Sequence, residues 1–192
     1  MTDLDQASQP DRDRSRWVSI AGMAMIVLSA GAALLPVEKG ISGGIIGALL
    51  LAAGLIELGA GSLRRETRDL AMLAGAVTVL AGLLFLLNRE SKFFPIVNIV
   101  IGWLALRSII LGVKSRRVHG SVRTWTSVAA ATDFVLALVL IVGVSLSSVV
   151  VLLFGPTTAV VASFAWIVAL SFVATGLLLL EVASYEREGA GA

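Results

Sequence analysis

Residues 41–62 read ISGGIIGALLLAAGLIELGAGS, twenty-two positions with one ionisable side chain, Glu57. A bilayer-crossing helix needs about 20 predominantly apolar residues. The run therefore predicts a membrane span, and the rest of the chain repeats its pattern. Residues 159–180 are as free of charge. Over all 192 residues only 15% are charged, 57% are hydrophobic, and the mean hydropathy is +0.95. A soluble domain carries about 25% charge.

Six apolar segments follow from this reading: Trp17–Leu35, Ile41–Ser62, Leu70–Leu87, Ile96–Val113, Thr126–Leu146 and Ala159–Leu180. The runs are uninterrupted, whereas barrel strands alternate apolar and polar residues over about ten positions. The expected fold is an all-α membrane protein with six transmembrane helices spanning residues 17–181. Residues 1–16 and 182–192 are polar or Gly/Ala-rich and read as tails, the first of them disordered. The small residues around Ser29–Ala33 of the first segment mimic a signal-peptide cleavage site. Its leader, however, mixes Asp3, Asp5, Asp11 and Asp13 with Arg12, Arg14 and Arg16, which predicts retention rather than cleavage. Apolar character in the fifth segment runs on to Gly155. A helix from Thr126 to Phe154 would be about 43 Å long at 1.5 Å per residue. That exceeds a hydrocarbon core of about 30 Å, so a break near Gly143–Ser148 is expected.

Charge sets the direction. Eleven Lys and Arg residues fall in the two tails and the second and fourth connections, and three (Lys39, Arg89, Lys92) fall in the others. The excess of basic residues marks the cytoplasmic side, which places both termini there. The same clustering at segment ends assigns the basic pI of 9.5 to topology and anionic lipid rather than to nucleic acid.

The segments also repeat. Pro36, Pro95 and Pro156 are 59 and 61 residues apart, each between the two helices of a pair. The expected architecture is three helical hairpins, about 17–62, 70–113 and 126–180, running in the same sense. Small residues recur every seven positions: Gly40, Gly47, Gly54 and Gly61; Gly75 and Gly82; Ala162, Ala169, Gly176 and Ala183. Such stripes let membrane helices approach closely. They read first as packing within the bundle, and second as an interface between copies.

The hairpins resemble the HdeD-like short-repeat membrane proteins of bacteria. The resemblance rests on GMAMIVLSAGAALLP (22–36), GGIIGALLLAAGLIELGAG (43–61) and GAVTVLAGLLFLLN (75–88). Gly47 and Gly54 fit the second helix of the family repeat, and Gly102 with Gly112 fits it loosely. The third unit, AWIVALSFVATGLLLLE (165–181), keeps only Gly176. The first outer turn lacks the family's Asn, and Asn88 stands apart from Pro95. What the resemblance implies is a multi-pass protein of the bacterial inner membrane with an acid-resistance or envelope-stress role, without catalytic residues. The partners it implies are the bilayer and a second copy or another membrane protein.

Three ionisable residues lie inside apolar segments: Glu57, Arg107 and Asp133. A charge at mid-membrane costs roughly 2.5–3.5 kcal/mol on insertion scales, so each needs a reason. Glu57 and Arg107 both lie seven residues before a flanking cation, Arg64 and Lys114, and Asp133 has a similar depth. Equal depth on three helices predicts that Arg107 pairs with Glu57, Asp133 or both. The pair reads as a structural lock, and alternatively as the proton-responsive layer of a small proton or solute transporter; a third reading has Arg107 snorkelling alone to the inner surface. Glu181 lies shallower. Thr78, Asn98, Ser108, Thr132, Ser163, Ser171 and Thr175 are candidates for hydrogen bonds between helices. The four Trp residues read as partly interfacial.

Enzyme chemistry is not expected. The chain has no Cys and one His, His119, so thiol sites and multi-histidine metal sites are excluded within it; with that His in a basic link no nucleophile–base pair is suggested, and carboxylate sites for hard cations stay open. No cofactor is implied.

Overall fold

In the computed structural model the chain is described over residues 3–34, 43–63, 67–87, 96–154 and 159–189, with side chains for 13–34, 44–63, 67–87, 97–143 and 166–185. These residues form six helices: α1 (Asp3–Ala33), α2 (Gly43–Ser62), α3 (Arg68–Leu87), α4 (Ile96–Ser115), α5 (Gly120–Phe154) and α6 (Ala159–Gly189). No strand occurs among the described residues. All six helices are long and apolar enough to cross a bilayer. The surface is inverted relative to a soluble protein: Leu55, Leu80, Ile109, Phe134 and Leu170 are exposed, while Arg107, Asp133 and Thr78 are buried. A large apolar exterior over a polar interior suits lipid as solvent. The three proline turns, with Lys39, Gly40, Arg89 and Lys92, lie outside the described residues.

Three expectations about helix ends are corrected. The leader before Trp17 is not a disordered tail, because α1 is helical from Asp3. Its physical anchor is Ser15, 1% exposed, whose hydroxyl donates to Ala183 O at 2.7 Å. The chain after Leu180 likewise continues as helix to Gly189. The fifth helix does not break near Gly143–Ser148 and runs unbroken for 35 residues. It starts six residues earlier than expected, at Gly120, whose φ of 62° is the left-handed conformation glycine tolerates best. An added Cβ there would lie 3.9 Å from the Tyr185 ring. The ends of α1, α5 and α6 thus extend together past the basic end of the bundle.

Each helix packs on its neighbours in chain order, and α6 returns to α1, so the bundle is a closed ring. The closest pairs are α2/α3, α1/α6 and α4/α5. Glycine explains the first. A Cβ on Gly54 would fall 2.5 Å from Val79 N, and one on Gly82 would fall 2.6 Å from Leu51 N, so only hydrogen fits. The stripe of Gly47, Gly54 and Gly61 meets α3, where Gly75 and Gly82 answer it. On α1/α6 the same spacing recurs with serine. Ser15, Gly22 and Ser29 meet Ala183, Gly176 and Ala169 in antiparallel register, with Ser29 Oγ 2.8 Å from Ala169 O. The described members of these stripes are therefore spent inside the bundle. Gly102 and Gly112 have open space beside them, and α4/α5 is joined by polar contacts instead, including Ser108 Oγ to Ala130 O at 2.9 Å.

Candidate functional site: a buried ionic layer

The centre of the ring is polar. Arg107 projects from α4 and is 2% exposed. Its Nη1 donates to Asp133 Oδ2 on α5 at 2.5 Å and to Ser171 Oγ on α6 at 3.0 Å. Its Nη2 donates to Glu57 Oε1 on α2 and to Thr175 Oγ1 on α6. One guanidinium is thus shared by two carboxylates and two hydroxyls from three other helices. The planar fork of Arg suits such bridging in a way a Lys ammonium would not.

The carboxylates are held differently. Asp133 is fully buried, and both its oxygens are occupied: Oδ2 by Arg107, and Oδ1 by Ser171 Oγ at 2.6 Å. Glu57 gives Oε1 to Arg107 and Oε2 to the Thr78 hydroxyl at 3.1 Å. Thr78 has one hydroxyl hydrogen and a second acceptor, Ala74 O, at the same 3.1 Å. Its oxygen also accepts from Trp103 Nε1 at 3.1 Å. Among the described residues, Glu57 Oε2 therefore shares its only donor with a backbone carbonyl. Thr175 closes the layer by donating back to Ser171 O at 2.8 Å.

The structure brings together all three ionisable residues singled out by depth, on three helices. Of the hydroxyl candidates it places Thr78, Ser171 and Thr175 in the layer and Ser108 beside it. Asn98 faces outward, Thr132 is half-buried, and the Ser163 side chain lies outside the described residues. Glu181 is half-buried and outside the layer, and His119 is exposed. Trp103 corrects the interfacial reading. It is 3% exposed, with its ring edge-on to Phe172 (centroids 6.4 Å apart, planes at 78°) and 5.9 Å from the Arg107 guanidinium carbon. Its companions Trp17 and Trp166 are exposed. A Trp one turn before a membrane Arg on the same helix was the available sign, since that spacing puts both on one face.

Fold and site together define a multi-pass membrane protein with an ion-paired core. No family model, curated protein or solved structure matches the chain.

Proposed function

We propose that this chain is a non-catalytic protein of a bacterial inner membrane, with a role in envelope or acid stress, whose ionic layer locks its helices together. The observation that carries the reading is the Arg107 fork, which ties α2, α5 and α6 to α4. Four of the five N–H donors of Arg107 are spent on protein groups, which suits a lock better than a substrate site.

The three-hairpin repeat is part of the proposal. Each of the three close pairs joins the second helix of one hairpin to the first helix of the next, with α6 closing on α1. Three hairpins related by a rotation about the ring axis would pack in this way. The contact of Ser15 with Ala183 supports placing the two termini at one end of the ring, and the basic residues there favour the cytoplasmic side.

Reconstitution into liposomes with an internal pH-sensitive dye tests the reading. The lock predicts no proton or solute flux across a range of applied pH. Flux abolished by Asp133→Asn would replace it with transport. Survival of the native host after an acid shift, with and without the chain, tests the stress role. Unchanged survival would remove that role.

A further inference from the structure

Between the ionic layer and the basic end of the ring lies a cavity of about 30 Å³, whose lining includes Glu57, Ala74, Arg107, Lys114, Thr175 and Leu178. A water needs about 10–15 Å³ of such space and two to four polar partners. The cavity has room for about two waters, and Glu57, Arg107, Lys114 and Thr175, set in a mostly apolar lining, are the groups that can hold them.

The charge balance points the same way. Within the layer two carboxylates face one guanidinium, Glu57 and Asp133 against Arg107. Among the described residues the other charged groups near it are Lys114 on α4, buried and lining the cavity, and the half-buried Glu181 on α6. On α3 the layer meets the hydroxyl of Thr78, while Arg68 and Asp69 are exposed at that helix's start. Asp133 does not line the cavity and both its oxygens are taken. Glu57 lines it, and among the described residues its Oε2 has only a shared donor.

We infer that the cavity is a water-filled port and that Glu57 takes up and releases a proton through it from the Lys114 end, while Asp133 stays the fixed counter-ion of Arg107. In the step, a hydronium ion in the port gives its proton to Glu57 Oε2. One O–H bond forms, one breaks, and water remains. Thr78 then keeps Ala74 O as its acceptor, and the new O–H can donate to Thr78 Oγ1. The layer passes from an excess of one negative charge to balance without losing the Arg107 contacts. The lock proposed above thereby gains a site at which acidification of the cytoplasm can act, so the inference rests on that reading for its biological meaning, though not for its chemistry.

Infrared spectroscopy of the full chain in lipid nanodiscs tests it. Acidification should raise, apart from the bands of the solvated carboxyls, a buried protonated-carboxyl band that shifts when glutamate is carbon-13 labelled and stays put when aspartate is. Glu57→Gln should abolish the band. A band that shifts with labelled aspartate, survives Glu57→Gln, or never appears before the protein unfolds overturns the assignment. Ala74→Val should fill the port and slow exchange of the band in D₂O severalfold relative to Ala137→Val, a buried site outside the cavity lining. An unchanged rate would overturn the port. Flux in the liposome assay would remove the lock while leaving a Glu57 band standing, so the two failures are separable.

Discussion

Arg107 on α4 and Asp133 on α5 meet at 2.5 Å with 2% and 0% of their side chains exposed. In water such a pair would matter little. Here neither partner can turn to solvent if the other is removed. Truncating one member of a buried pair costs about 3–5 kcal/mol, because the charge left behind is uncompensated. Arg107→Ala is worse placed still, since it strands Glu57 as well. The expected outcome is a thermal midpoint in detergent far below wild type and a reduced protein level in membranes. An unchanged midpoint and level would show that the layer does not hold the fold.

The α2/α3 contact rests on glycine rather than charge. A methyl at Gly54 would meet Val79 N at 2.5 Å, and backbone cannot give way as a flexible side chain can. Gly54→Ala is expected to force the helices apart and cost about 1–3 kcal/mol. Gly102→Ala, with nothing within 4 Å of the added carbon, should stay within about 0.5 kcal/mol of wild type. Chemical-denaturation midpoints of the two variants make the comparison. Equal effects would mean that helix propensity, not close approach, sets the response.

Much of this was legible because lipid imposes simple rules. An apolar run such as 41–62 has few other fates, and counting residues from Arg64 and Lys114 gave Glu57 and Arg107 a common depth. What escaped were features whose sequence looks the same in two environments. Ser15 is polar whether solvated or docked, so residues 3–16 resembled a free tail until Ala183 supplied a partner. Gly143 and the serines after it resembled a break, yet in a membrane such residues are tolerated within a helix. Trp103 could have been a headgroup anchor, and only the nearness of Thr78 and Phe172 made it core.

Trp103 carries a prediction of its own. Its Nε1–H donates to the oxygen that also serves Glu57, so Trp103 and Thr78 should be energetically coupled. A double-mutant cycle of Trp103→Phe and Thr78→Val in thermal or chemical unfolding should return about 0.6 kcal/mol, the usual size for a hydrogen bond between membrane helices. Trp166→Phe, on an exposed ring, should show no coupling to Thr78→Val. Additive effects for the first pair would mean that Trp103 contributes only its packing.

The ends of the chain give a test of register. Ser15 is 1% exposed against Ala183, while Trp17, two residues on, is 62% exposed and turned away. Two residues in a helix differ by about 200° around the axis, so the contrast is what a docked helix requires. The chain has no Cys, so a pair of introduced cysteines can form only one intramolecular disulfide. Ser15→Cys with Ala183→Cys should crosslink readily under mild oxidation, closing nearly the whole chain into a loop and changing its mobility on a denaturing gel. Trp17→Cys with Ala183→Cys should crosslink poorly. A free tail would sample both geometries and give both products at similar rates, and that outcome would undo the helical extension of α1. A strong first product and a weak second would place the start of α1 against the end of α6, with the serine and glycine stripe continuing from Ser29 through Gly22 to Ser15 on one face.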